Sequence, residues 1–278
     1  MKKLFGVIGD PIAQSMSPHI HNDAFVQHNI DGAYLPFHVT KENLQKAVDG
    51  LRALGVHGFN VTIPHKVEIM KFLDAIDKDA QQIGAVNTVV NESGKLVGYN
   101  TDGSGFVKGL KEVTKLGEKN VAIIGSGGAA RGILYSLSKE KVKKLTVANR
   151  TEKKAAELIT SLQLETIATS CTLETLEKEL NKYDIIINTT SVGMYPNIDD
   201  IPISLSFLKK NCIVSDIIYN PVETKFLKEA KKQGAITQNG VSMFVYQAAI
   251  AFEIWNNIQP NANRMEQIVM EHLGGKTC

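Results

Sequence analysis

VAIIGSGGAARG, residues 121–132, decides how this 278-residue chain is read. A short apolar run of β character leads into Gly125, Gly127 and Ala130 in G-x-G-x-x-A spacing, and the residues beyond suit a helix. Gly125 permits a tight turn, Gly127 lets a pyrophosphate approach the backbone, and Ala130 lets the helix lie close to the strand. Ser126, Gly128 and Ala129 complete the turn, where free N–H groups and the positive end of the helix dipole suit an anion. A glycine triplet alone is no more than a strand-to-helix turn. With the strand before it and the helix after it, the segment points to dinucleotide binding.

The next strand, residues 145–148, ends in Asn149, Arg150 and Thr151. A fold that binds NAD places an acidic residue there, ~20 residues on, to hold the ribose. This sequence offers a guanidinium instead. Arg150 can fork onto a phosphate, and Lys153 or Lys154 can add charge from the following turn. The expectation is recognition of a 2′-phosphate, and so NADP(H) as cofactor. Residues 185–187 and 213–217 extend a second parallel sheet, and helical runs occupy 243–255 and 264–273.

Before this segment, short β-like runs alternate with helical ones: strands at 4–8, 33–39 and 58–63, and a helix at 19–28. Leu44, Val48, Leu51 and Leu54 recur at helical spacing and form one apolar stripe. Alternation of this kind predicts right-handed βαβ crossovers and a largely parallel sheet. Residues 85–90 and 96–99 flank the loop composition of a hairpin. A helix with Phe106, Leu110 and Val113 on its apolar face then leads into the polar stretch 115–120, which reads as a linker. The fold class is therefore α/β in two domains: an N-terminal, mainly parallel-sheet substrate domain and a doubly wound cofactor domain.

Polar residues gather at the predicted strand ends, where open parallel sheets bind ligands. Ser15 and Ser17 follow the first strand. Asn60 and Thr62 end the third, followed by Pro64, His65 and Lys66 at an expected helix start. Asn87 and Thr88 lie on the hairpin, and Asn100, Thr101 and Asp102 come after it. Hydroxyls, amides, one ammonium and one carboxylate suit a small polyhydroxylated acid. Each has a plainer reading: Ser17, Thr101 or Asp102 as helix N-caps, Asn87 as a turn residue, Lys66 as a surface lysine.

Composition narrows the field. With 43% hydrophobic and 22% charged residues and a net charge of +2, neither disorder nor an extended nucleic-acid track is expected. No apolar run reaches membrane-spanning length, and no signal-peptide core develops near the start. Cys171, Cys212 and Cys278 are odd in number and far apart, which fits neither a disulfide framework nor zinc and suggests a reducing cytoplasm. His19 and His21 do not share a helix face, so no metal is expected. Monomer and homodimer both stay open.

Taken together, QSMSP at 14–18, NVTIPHK at 60–66, GAVNT at 84–88 and GYNTDG at 98–103 closely resemble the shikimate dehydrogenase family. The resemblance continues in order through GSGGAARG, NRTEKK at 149–154, INTTSVGM at 187–194, SDIIYNP at 215–221 and NGVSMFVYQA at 239–248. It implies reversible NADPH-dependent reduction of 3-dehydroshikimate to shikimate in aromatic amino-acid biosynthesis. By the family pattern Lys66 and Asp102 form the catalytic pair, while Ser15, Ser17, Asn60, Thr62, Asn87, Tyr219 and Gln247 hold substrate. Gly240 lies near the nicotinamide. The substrate domain then comprises 1–103 and 241–278, and the cofactor domain 104–240. Lys154 stands where family members often carry arginine.

Three rival readings ask for different residues. An NAD-preferring quinate/shikimate enzyme would want an acid at Arg150. A tetrahydrofolate dehydrogenase would want a more aromatic first domain. A non-catalytic NADPH-binding regulator would have no need of Lys66 and Asp102.

Overall fold

In the computed structural model, which describes residues 2–274, the chain forms two compact units, each built on its own six-stranded sheet. Cys278 lies outside the described residues. The first unit takes the residues up to Thr101 and Val245–His272; the second takes Asp102–Phe244.

In chain order the first unit contains β1 (Lys3–Gly9), α1 (Ser17–Gln27), β2 (Gly32–His38), α2 (Leu44–Ala53), β3 (Gly58–Val61), β4 (Ala75–Ile76), α3 (Lys78–Ile83), β5 (Thr88–Glu92) and β6 (Lys95–Tyr99). The next stretch contains α4 (Asp102–Val113), β7 (Asn120–Ile124), α5 (Gly128–Ser138), β8 (Lys144–Ala148), α6 (Glu152–Ser161), β9 (Ala168–Cys171) and α7 (Leu173–Lys178). It continues with β10 (Ile185–Asn188), β11 (Ile213–Asp216), α8 (Lys225–Lys232) and β12 (Ile236–Gln238). The chain then enters α9 (Val241–Asn256) and α10 (Ala262–His272).

The first sheet runs β2-β1-β3-β5-β6-β4. β1 pairs in parallel with both β2 and β3, and β4 with β6, whereas β5 runs antiparallel to β3 and β6. The sheet is thus mixed, with three parallel pairings out of five. β5 and β6 form a hairpin, where Ser93 (φ 55°) and Gly94 (φ 96°) turn the chain in two residues. Positive φ at both central positions gives the primed turn whose twist suits a tight hairpin.

Leu44, Val48 and Leu51 bury against Ile8, Phe59 and Val61 in one core cluster of this unit. Leu54 departs from the expected stripe: α2 stops at Ala53, and Leu54 is 75% exposed. A second, aromatic cluster gathers Phe5, His21, Phe25, Tyr34, Phe252 and Trp255. Trp255 docks α9 onto the sheet. Its indole N–H donates to the Val89 carbonyl at 2.9 Å, and a Cβ on Gly58 would overlap its ring.

The second sheet is parallel throughout, in the order β12-β11-β10-β7-β8-β9. Counted within the unit this is the doubly wound dinucleotide-binding order, with its switch point between β7 and β10. Its central strands are Ile- and Val-rich because both faces are covered. Val121, Ile123 and Ile187 pack with residues of α4, α5 and α6, while Ala122, Ile124 and Ile186 pack with residues of α7 and α8.

Residues 115–120 do not link the units. The break falls at Thr101, and Leu116 is buried in the same cluster as Phe106 and Leu110 of α4. α4 instead joins α5 so closely that a Cβ on Gly103 would overlap the Gly132 carbonyl.

Candidate active site

β3 ends at Val61, and the chain folds into turns closed by His65 N–H to the Thr62 carbonyl at 2.9 Å. The α-helix expected from Pro64 onward is absent. A 3-10 segment, Glu68–Phe72, follows instead, since β4 begins only three residues after it. Lys66 therefore sits in a half-buried turn, its carbonyl accepting Val86 N–H at 2.8 Å. His65 is 1% exposed, and its Nε2 lies 2.6 Å from the Val39 carbonyl, so that nitrogen carries the proton and the ring serves the core.

Around this turn runs a buried polar ladder within the first unit. The Tyr34 hydroxyl donates to Asn60 Oδ1 at 2.6 Å, and the Asn60 amide donates to the Asn87 carbonyl and Thr88 Oγ1, both at 3.1 Å. Asn87 Nδ2 donates to Thr101 Oγ1 at 2.9 Å, and Thr101 N–H returns a bond to Asn87 Oδ1 at 2.8 Å. Ser17 is buried, and its N–H reaches Ser15 Oγ at 3.4 Å. Asn100 Nδ2 holds the Ala85 carbonyl at 3.0 Å. Ser15, Ser17, Asn60, Thr62, Asn87 and Lys66 are all carried by this unit, at the ends of β1 and β3 and the start of β5. Gln247 also belongs to it, half-buried on α9.

In the second unit, β7 turns into α5 through Gly125, whose φ of +108° suits glycine, and a Cβ there would crowd Thr189 Oγ1. Thr189 Oγ1 donates to the Ile124 carbonyl at 2.6 Å, which explains the close approach. A Cβ on Gly127 or Gly128 would meet nothing within 4 Å. Gly127 caps α5 with no side-chain hydrogen bond, leaving the first-turn N–H groups for a ligand. Ala130 is fully buried. Gly240 approaches Ile217 so closely that a Cβ would overlap its carbonyl.

At the end of β8, Asn149 Nδ2 donates to the Thr151 carbonyl at 2.9 Å, fixing the turn that displays Arg150. Arg150 and Lys154 are exposed, and among the described residues neither pairs with a carboxylate. Lys153 instead lies 3.9 Å from Glu157. An open glycine turn, an uncapped helix and two unpaired cations fit a phosphorylated dinucleotide. Asp102 opens α4, where a carboxylate complements the helix dipole. Tyr219 packs its ring 5.2 Å from that of Phe244, the planes tilted by 36°.

Asp216, which the sequence reading passed over, organises the loop carrying Tyr219. It is fully buried at the end of β11 and accepts from Ile218 N–H (3.0 Å), Thr224 Oγ1 (2.9 Å) and Asn188 Nδ2 (3.2 Å). Burial outweighs these donors and pushes its carboxyl up to about 6. A carboxyl raised in the folded state favours folding below its unfolded value near 4, and that contribution is lost as pH rises through about 6. Between those limits the site should make stability fall by at most ~1.4 kcal/mol per pH unit. Urea unfolding of wild type and Asp216→Asn across that window should give diverging curves, with wild type gaining relatively at the acid end. Parallel curves would show that Asp216 stays ionised.

The Rossmann-ordered sheet, its open glycine turn and the basic, acid-free end of β8 define an NADP-dependent oxidoreductase with a second α/β unit rich in hydroxyls and amides. Comparison with known proteins is specific. Residues 7–89 match the family described as shikimate dehydrogenase substrate binding domain, 108–196 match shikimate / quinate 5-dehydrogenase, and 240–270 match the shikimate 5'-dehydrogenase C-terminal domain. The NADP(+) shikimate dehydrogenase of Bacillus cereus strain AH820 is 55% identical over 99% of this chain and 100% of its own. A crystal structure of a shikimate dehydrogenase in complex with NADP+ superposes with a TM-score of 0.92 at 45% identity, covering 98% of this chain and 96% of that one. The Listeria monocytogenes shikimate 5-dehydrogenase, in complex with shikimate and NAD, gives 0.91 at 36% identity, covering 96% of each chain. The chain belongs to the NADP-dependent shikimate dehydrogenase family. Among the described residues no helix is long and apolar enough to cross a membrane, and no group of residues is suited to hold a metal ion.

Proposed function

We propose that Lys66 and Asp102 carry the acid–base step of this chain's reaction, and that Ser15, Ser17, Asn60, Thr62, Asn87, Tyr219 and Gln247 hold its substrate. The reaction is the reversible NADPH-dependent reduction of 3-dehydroshikimate to shikimate, a step of aromatic amino-acid biosynthesis. The bound nicotinamide supplies or accepts the hydride. As the ketone carbon is reduced, its oxygen gains negative charge and needs a proton. Lys66 gives that proton from Nζ in reduction and takes it back in oxidation, while Asp102 orients the ammonium and the reacting hydroxyl. Ser15 and Ser17 donate their hydroxyls to the substrate carboxylate, so no arginine is required.

When the cofactor is bound, residues 125–130 would hold its pyrophosphate and Gly240 would serve its nicotinamide end. Asn149, Arg150, Thr151 and Lys154 hold the adenosine end, with Arg150 forking onto the 2′-phosphate. The substrate unit corresponds to 1–103 with 241–278, and the cofactor unit to 104–240. The reading puts the enzyme in a reducing cytoplasm, as monomer or homodimer.

The observation that carries the assignment is the polar ladder from Tyr34 to Thr101, which gathers hydroxyls and amides beside the Lys66 turn. The test crosses shikimate or quinate with NADP or NAD and follows absorbance of the reduced nicotinamide. Shikimate with NADP should give the highest kcat/KM. Faster turnover of quinate with NAD would favour the rival dehydrogenase, and no turnover with any pair would leave a binding protein.

A further inference from the structure

We infer that Tyr34 is a positioning residue for substrate recognition, its buried hydroxyl holding Asn60 in the orientation that the substrate meets. This rests on the assignment of Asn60 to substrate given above. Tyr34 touches no reacting atom in this scheme and acts through Asn60.

The residue is unusually constrained. Its side chain is fully buried, and its ring stacks on His21 with centroids 4.5 Å apart and planes 14° from parallel. Its backbone is clamped as well. Asn22 on α1 accepts Tyr34 N–H at 2.8 Å and donates to the Tyr34 carbonyl at 3.0 Å, taking the place of a strand partner along the open edge of β2. Both backbone and ring are thus fixed from α1, the helix that begins at Ser17.

The hydroxyl has one proton. Both Asn60 amide hydrogens are engaged, at the Asn87 carbonyl and Thr88 Oγ1, so Asn60 Oδ1 must accept and Tyr34 must donate to it. The Tyr34 hydroxyl therefore ties β2 to the end of β3. Through Asn60 and Asn87 the same ladder reaches Thr101, the residue before Asp102. His21 adds no competing bond. Neither ring nitrogen has a hydrogen-bond partner, and burial lowers its pKa to about 3, so it meets Tyr34 as a neutral stacking plane.

Without the hydroxyl, Asn60 Oδ1 loses its donor, so the side chain gains orientations that do not face substrate. Tyr34→Phe should raise KM and the calorimetric Kd for shikimate about five- to tenfold while leaving kcat and NADP affinity within twofold. In an Asn60→Ala background the same change should have a markedly smaller effect, because what Tyr34 holds is already gone. His21→Phe keeps the stack and should leave the shikimate Kd unchanged. If Tyr34→Phe does not fold, Asn22→Ala, which unclips the Tyr34 backbone and keeps its hydroxyl, should still weaken shikimate binding without weakening NADP binding.

An unchanged shikimate Kd, equal losses for shikimate and NADP, or full effect in the Asn60→Ala background would each overturn the inference. A wild-type protein that binds no shikimate would instead overturn the functional assignment, so the two failures are read separately.

Discussion

Lys66→Ala should lower kcat by about 10²–10⁴-fold and change the KM for shikimate only modestly, because a positioned acid–base group acts mainly in the transition state. The local structure makes this a clean experiment. The turn at Lys66 is held by backbone bonds, His65 N–H to the Thr62 carbonyl and Val86 N–H to the Lys66 carbonyl, which truncation of the side chain leaves in place. Asp102→Asn should also be severely slowed. If the two groups work as one unit, the double variant should be little worse than the poorer single one. His65 is no substitute, since its ring is buried and committed to the Val39 carbonyl. A Lys66→Ala enzyme with near-normal kcat would remove Lys66 from the chemistry, and the proton would then have to come from solvent or from Asp102.

The parts of the molecule that were legible in the sequence are those written in local pattern. The glycine turn at Gly125 to Ala130 could be read because steric demands at a pyrophosphate admit few residues, and the hairpin because Ser93 and Gly94 separate two apolar runs. β9 and β12 were missed. Both lie at sheet edges, are at most four residues long and are only partly buried, so neither carries the apolar run that marked the inner strands. The helix expected after Pro64 failed for the opposite reason. Pro64 is a good helix-start signal, but β4 follows too soon for more than a 3-10 segment. The linker at 115–120 was inferred from polarity, and burial of Leu116 shows why polarity misled.

The candidate site was legible where polar residues stand at strand ends and illegible where residues face one another. Ser15, Ser17, Thr62 and Lys66 stand out as polar groups at strand ends, whereas Tyr34 and Asn22 gain their roles only from partners brought together by the fold. Asp216 left one signal, an acid closing an apolar strand run. Its three donors come from separate segments, and no spacing rule would have joined them.

Arg150→Ala should raise the KM for NADP by roughly 10–100-fold and leave NAD use nearly unchanged, which corresponds to losing one charge-assisted bidentate contact of ~1.5–3 kcal/mol. Arg150 is exposed and pairs with no carboxylate among the described residues, so removing it should not disturb the fold. The turn beneath it depends on Asn149, whose amide bonds the Thr151 carbonyl. Lys153 is partly engaged by Glu157, which leaves Lys154 as the second cation. Lys154 presents a point charge where an arginine would present a fork, so Lys154→Ala should weaken NADP less than Arg150→Ala does. Fluorescence titration of both cofactors in the absence of substrate separates binding from turnover, and added salt should erode the NADP advantage by screening the exposed charges. Equal losses for NADP and NAD would assign Arg150 to the structure of the β8–α6 turn, and the preference for the phosphorylated cofactor would have to be sought in another residue.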